Sequence, residues 1–344
     1  MFERKISKLE WGGQESKESG ARRVAKHANK MSHDMKNILI NRSQKRWQRR
    51  IATAIAAGII LTTPSTAGEK SGASSIALRT GYAPVDGLNL YYEVHGSGEP
   101  LILLHGGLAS TEMLGDVLPA LAKTRQVIAT DLQAHGRTAD IDRPMTIEAM
   151  ADDIAGLMKY LGIPKADIMG YSLGAAVALQ TTIRHPELVR KLVVVSEPYK
   201  REGWYPDVLA AMSQVGPSLA EPMKQSPNYK VYSHSAPRPQ DWPVLLTKMG
   251  ALLRQPYDWS KGVALIKAPT MLVFADADAV RPEHMIEFFQ LLGGGKKDGG
   301  LDGSGISNAR LAILPGLTHY NIFSSPALVP TVTPFLDVPM PETK

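Results

Sequence analysis

Ser172 stands midway between two glycines in the run Gly170-Tyr171-Ser172-Leu173-Gly174. A serine hydroxyl becomes a useful nucleophile when a base takes its proton, and such a base needs a carboxylate to orient it. Two later residues have the required types: Asp278, closing Ala275-Asp276-Ala277-Asp278, and His319, closing Pro315-Gly316-Leu317-Thr318-His319. The chemistry these three could perform is acyl transfer. The glycines have a steric reason: a nucleophile on a sharp strand-to-helix turn leaves no room for a Cβ two residues to either side. At the start of a helix the unpaired N–H groups, that of Leu173 included, would face an oxyanion forming beside the serine oxygen.

The elements around these residues must bring them to one place. An apolar segment precedes the serine, and an Ala-rich helix, Ala175 to Ile183, follows it and closes at His185-Pro186. Continuous apolar strands are expected at Pro100–Leu104, Gln126–Thr130, Lys191–Val195, Pro269–Phe274 and Arg310–Leu314, the pattern of a parallel sheet covered on both faces. Helical spacing falls between them at Thr111–Leu121, Ile147–Leu161 and Pro282–Leu292, with Thr146 an N-cap. Ahead of them, Tyr82–Val85 and Leu88–Val94 read as a hairpin turning at Asp86-Gly87. Strands alternating with helices imply a right-handed, mostly parallel α/β sheet. Ser172, Asp278 and His319 then each follow the carboxyl end of a strand, at a shared edge.

The alternation stops between Glu197 and about Gly262. That stretch holds nine prolines and the aromatics Tyr199, Trp204, Tyr205, Tyr229, Tyr232, Trp242, Tyr257 and Trp259. An insertion after a central strand overlies the crevice where α/β sheets bind ligands, so we read it as a helical cap walling an apolar pocket. Any one of these aromatics can instead pack the cap's own small core. The Gly-, Asp- and Lys-rich run from Gly293 to Gly305 joins a helix to the last strand and should lie away from the serine. It resembles neither a phosphate loop nor a calcium loop.

Charge is unevenly spread along the 344 residues. Of 39 Lys and Arg, 14 fall in residues 1–50 against 5 of the 33 acidic residues, leaving 25 against 28 for the remainder. The body is mildly acidic and offers no footprint for nucleic acid. The basic run ends in Arg46-Trp47-Gln48-Arg49-Arg50, followed by the apolar stretch Ile51–Leu61 and then Ser65-Thr66-Ala67. This order describes a secretory signal peptide cleaved after Ala67, hence export to the periplasm or beyond; an uncleaved anchor is the weaker reading. The chain has no cysteine, which excludes disulfides and thiolate chemistry. No metal-ligand spacing is seen, and no cofactor is expected.

From about Tyr82 to Phe335 the chain resembles the α/β-hydrolase superfamily, in its capped serine-esterase and haloperoxidase-like branch. The resemblance rests on the Gly-x-Ser-x-Gly turn, the order Ser172, Asp278, His319 and the loop His105-Gly106-Gly107-Leu108. It implies a core in two parts (81–196 and 263–338) and a cap (197–262) after the strand that follows the nucleophile; the leader (1–67) and a linker (68–80) precede them. It also implies an oxyanion hole from the N–H groups of Leu173 and of Gly107 or Leu108. His105, Tyr171, Trp204 and Tyr205 are the expected substrate contacts. Asp276 and Glu197 rival Asp278, Glu197 because some hydrolases place the acid there; His105, His135 and His284 are expected to be structural or pocket-lining. The superfamily's epoxide hydrolases and dehalogenases carry Asp at the nucleophile and usually Pro after His-Gly, whereas Ser172 and Gly107 stand here. The implied activity is hydrolysis of an ester or lactone, possible macrolide-type lactones included, on a small apolar substrate. The alternatives are a perhydrolase on the same triad and a non-catalytic binding protein of this fold.

Overall fold

The computed structural model describes residues 79–339. The expected leader, its cleavage site and most of the linker lie outside the described residues.

Eight strands form one sheet in the order β1-β2-β4-β3-β5-β6-β7-β8. They are β1 (Arg79–Val85), β2 (Leu88–His95), β3 (Glu99–Leu104), β4 (Arg125–Thr130), β5 (Ala166–Tyr171), β6 (Val189–Val195), β7 (Thr270–Ala277) and β8 (Ala309–Thr318). The β1–β2 and β2–β4 pairs are antiparallel, and all later pairs are parallel. The hairpin turns at Asp86 (φ 46°) and Gly87 (φ 83°), two left-handed residues whose twist matches that of the strands they join.

The core follows the two-residue period of the strands. Ile102, Leu104, Ile168, Leu192 and Val194 pack on one face, and Leu101, Leu103, Met169, Val193 and Val195 on the other. Helices cover both faces, which is why these strands read as unbroken apolar runs. On the first face lie α2 (Ile147–Tyr160), α3 (Leu173–Arg184) and α8 (Pro282–Leu291); on the second lie α1 (Val117–Leu121) and α9 (Leu328–Asp337). Thr146 caps α2 by accepting the Ala149 N–H at 3.1 Å.

Two elements depart from the sequence expectation. The single helix expected over Thr111–Leu121 is a 3₁₀ turn at Thr111–Leu114 followed by α1, broken at Gly115 (φ 53°). A left-handed residue cannot continue a right-handed helix. The last strand runs past Leu314 to Thr318, through Pro315 and Gly316. Because β8 is an edge strand, the missing proline N–H costs it no ladder bond on its open side, and a register shift opposite Ala275–Ala277 absorbs the irregularity.

Between β6 and β7 the chain makes no strand of the sheet and builds α4 (Pro206–Ser213), α5 (Pro227–Ser235), α6 (Trp242–Arg254) and α7 (Ser260–Val263). Much of its aromatic content forms its own core. Trp242 (1% exposed) meets Tyr229 and Tyr232 with ring centroids 5.4 and 5.2 Å apart. This segment is tied to the loop after β4 through Lys248, whose Nζ donates to Asp140 Oδ1 (2.9 Å) and to the carbonyls of Ile141 and Arg143 (both 2.7 Å). Among the described residues no helix is long and apolar enough to cross a membrane.

Candidate active site

Ser172 sits between β5 and α3 with φ 50° and ψ −122°, a conformation that L-residues avoid and that is held only where the surroundings over-determine it. Here they do. The Ser172 N–H donates to Val195 O (3.0 Å), and its carbonyl accepts from Ala175 (2.7 Å) and Ala176 (3.0 Å). A Cβ on Gly170 would overlap the Gly174 carbonyl, and one on Gly174 would lie 2.5 Å from the Leu104 and His105 carbonyls. Both glycines are therefore required by close backbone approach.

The structure brings Ser172, His319 and Asp278 together. Ser172 Oγ is 3.1 Å from His319 Nε2, and His319 Nδ1 is 3.2 Å from Asp278 Oδ1. Nδ1 carries the proton toward the carboxylate, leaving Nε2 to accept from the serine. Asp278 is buried and well supplied with donors: Ser196 Oγ at 2.5 Å, Ala275 N–H at 3.0 Å and Val280 N–H at 3.3 Å. Burial alone would raise its pKa, but the bond and charge of His319, with the Ala275 and Ser196 donors, hold it below the ordinary carboxylate value.

The two rival acids are engaged elsewhere. Asp276, at the exposed end of β7, accepts the Leu317 N–H of β8 at 3.2 Å, and such backbone bonds lower its pKa. Glu197 is buried and accepts from Tyr257 Oη at 3.3 Å. Burial, with the nearby charge of Asp278, pushes its pKa well above the ordinary value.

The loop after β3 separates the two oxyanion candidates. The Leu108 N–H donates to His135 Nε2 at 3.1 Å, so it is spent and Leu108 is not a free donor. Gly107 lies against Leu173: a Cβ there would be 3.8 Å from that of Leu173, and 2.9 Å from Met249 Cε above. No hydrogen bond takes the Gly107 N–H among the described residues, and Leu173, first in α3, has no carbonyl to reach within its helix. Of the three candidates, Gly107 and Leu173 are the two whose N–H groups have no hydrogen-bond partner among the described residues.

His105 is not a substrate contact. It is 2% exposed, with Nδ1 donating to Gly106 O (2.7 Å) and Nε2 accepting the Leu132 N–H (3.1 Å). His135 is used in the same way, donating to Gln133 O at 2.8 Å. The two rings lie 5.2 Å apart, and burial lowers their pKa values to about 4 and about 3, so both brace the loops as neutral imidazoles. Tyr171 also braces: its Oη donates to the His319 carbonyl at 2.6 Å, and its ring stacks on Phe323. Trp204 is the cap aromatic that reaches the triad, edge-on to His319 with centroids 5.5 Å apart and its Nε1 donating to Tyr257 Oη at 2.9 Å. Tyr205, 38% exposed, begins α4 with no side-chain bond to the triad.

Sequence reasoning missed Ser196 and Asn228. Ser196 holds φ 53° and supports Asp278; Asn228, in α5, donates to the Leu108 carbonyl at 3.0 Å. Nothing in the local sequence marks them, because each acts on a residue far along the chain. Among the described residues no group of three or more His, Cys, Asp or Glu is arranged to hold a metal ion.

Residues 99–221 match the family model of the alpha/beta hydrolase fold. The chain is 30% identical over 167 residues to a soluble epoxide hydrolase of Corynebacterium sp. (strain C12), covering 48% of this chain and 52% of that one. It is 40% identical over 111 residues to a pimeloyl-[acyl-carrier protein] methyl ester esterase of Neisseria meningitidis, covering 32% and 41%. These alignments span about half or less of the relatives' lengths. Among solved structures, the carboxylesterase CesB of Bacillus subtilis superposes with a TM-score of 0.58 at 19% identity, over 84% of this chain and 98% of that one. With the strand order, the turn at Ser172 and these likenesses together, the chain has the α/β-hydrolase fold.

Proposed function

We propose that the protein is a serine hydrolase that cleaves the carboxylic ester or lactone of a small apolar substrate through an acyl-enzyme. The observation that carries this reading is the unbroken chain from Ser172 Oγ through His319 to Asp278, with contacts of 3.1 and 3.2 Å. In this mechanism His319 Nε2 takes the Ser172 proton as Oγ attacks the carbonyl. The Gly107 and Leu173 N–H groups receive the negative charge that moves onto the carbonyl oxygen. His319 then gives its proton to the departing alkoxide, and water repeats the steps on the acyl-enzyme. Asp278 stays ionised throughout and stabilises the imidazolium.

Serine as nucleophile separates this chemistry from the aspartate-dependent route that the resemblance implies for epoxide hydrolases. The methyl ester esterase relative supports the ester reading. Trp204, Met249 and Tyr320 around the triad favour an apolar acyl or alcohol group. Export is part of the same proposal and rests on residues 46–67 alone.

The test is labelling with a fluorophosphonate probe, alongside turnover of short- and long-chain aryl esters, simple lactones and macrocyclic lactones. Labelling and ester turnover that both vanish in Ser172→Ala are expected. Folded protein that neither labels nor turns over any of these substrates would overturn the reading.

A further inference from the structure

The oxyanion loop is gripped from two sides at a single strained residue. Leu108 holds φ 58°, a region that a bulky side chain enters only under constraint. Its N–H is fixed from the core by His135 Nε2 at 3.1 Å, and its carbonyl is fixed from the helical insertion by Asn228 Nδ2 at 3.0 Å. Asn228 is buried, on the first turn of α5, where Ser226 caps the helix by accepting the Tyr229 N–H at 3.2 Å. A second contact from the same insertion reaches the neighbouring residue, with Met249 of α6 packed over the Cα of Gly107.

We propose that Asn228 is a positioning residue for catalysis, and that the docked insertion sets the oxyanion hole by holding the peptide after Gly107 in its strained conformation. This rests on the serine-hydrolase reading above and adds to it a coupling between insertion and chemistry. One peptide unit, Gly107–Leu108, separates the Gly107 N–H from the clamped Leu108 carbonyl, so rotation of that segment would swing the donor from the oxyanion. A left-handed non-glycine residue is strained, and two buried bonds oppose its relaxation. With the Asn228 bond gone, the Leu108 carbonyl is left buried and unpaired, and the loop gains a reason to turn.

The experiment compares wild type, Asn228→Ala and the near-isosteric Asn228→Asp, with Ser172→Ala as the nucleophile control and circular dichroism to verify folding. Substrate is an aryl ester, and an aryl trifluoromethyl ketone serves as the mimic of the tetrahedral intermediate. Both Asn228 variants should lose kcat and kcat/KM together, about 10- to 100-fold, below the range for complete loss of one oxyanion donor. KM should stay within about twofold of wild type, while the affinity for the ketone falls in step with kcat. A merely structural role would lower Tm without this split. A folded variant with wild-type kcat and ketone affinity, or a loss confined to KM, would overturn the inference while leaving the serine-hydrolase reading intact. A wild-type enzyme that fails to label at Ser172 would overturn both.

Discussion

The two ends of the sheet both bury charge, and they do so to opposite effect. At the amino end, Asp167 receives a two-pronged bond from Arg190 (2.8 Å on each oxygen) and a third from Arg125 at 3.3 Å. Arg125 continues to Asp337, and Lys191 closes the end of α9 by donating to the carbonyls of Phe335 (3.1 Å), Leu336 (2.6 Å) and Val338. At the carboxyl end the backbone itself is strained. Four of the five non-glycine residues with positive φ among the described residues lie there: Leu108 after β3, Ala134 after β4, Ser172 after β5 and Ser196 after β6. The amino end locks a helix to the sheet; the carboxyl end holds the Ser172 hydroxyl beside the His319 imidazole. Buried charge by itself therefore does not mark a site. Strain supported by directed hydrogen bonds, beside a hydroxyl that remains within reach of an imidazole, does.

The sharpest way to break this contrast is at the nucleophile. Ser172→Ala should reduce ester kcat by about 10⁴-fold or more while leaving Tm within a few degrees, read by steady-state kinetics and calorimetry on the same preparation. Next in size, Asp278→Asn should cost about 10³- to 10⁴-fold in kcat, because it loses the charge that holds the His319 tautomer. At the opposite end the effect should move from rate to stability. Asp167→Ala strands two guanidinium groups and should lower the unfolding free energy by about 3–5 kcal/mol, with kcat within about twofold, measured by urea denaturation. A large kcat loss there would erase the distinction between the two ends.

Acid should sharpen it further. Unfolded His105 and His135 take up protons below about pH 6.5, whereas the folded imidazoles resist until about pH 4 and about 3. The unfolded state then binds more protons, so stability is complete above pH 6.5 and falls as pH drops from 6.5 toward 4, by on the order of 3 kcal/mol per residue. His135→Gln should flatten that slope in urea melts taken across the range; an unchanged slope would show that these rings do not govern it. The smallest effect is expected for Asp276→Asn, less than about threefold in kcat, since that exposed carboxylate only ties the end of β7 to β8. Equal losses for Asp276→Asn and Asp278→Asn would count against the assignment of the acid.

How much of this could be read from the letters depends on distance along the chain. The turn at Ser172 was legible because its glycines lie two residues to either side, within one strand-to-helix connection. The parallel strands were legible because burial on both faces leaves unbroken apolar runs. The break at Gly115 and the extension of β8 were not, because one depends on a single dihedral and the other on the edge position of the strand. The letters left His105 between a structural and a pocket-lining role for a related reason. A histidine beside a glycine-rich loop has the same letters whether its nitrogens face a substrate or the Leu132 and Gly106 backbone.

The sequence alone determined that a serine would stand on a sharp turn at the edge of a mostly parallel sheet, with an acid and a histidine arriving after later strands. Residue type, period and chain order suffice for that, since each strand delivers its carboxyl end to the same edge. Only the tertiary structure decided which of Asp276, Asp278 and Glu197 meets His319, that Leu108 spends its N–H on His135, and that Asn228 holds the loop from the far side. Those outcomes turn on ångström-scale register between segments separated by tens of residues or more, which no local pattern of side chains encodes.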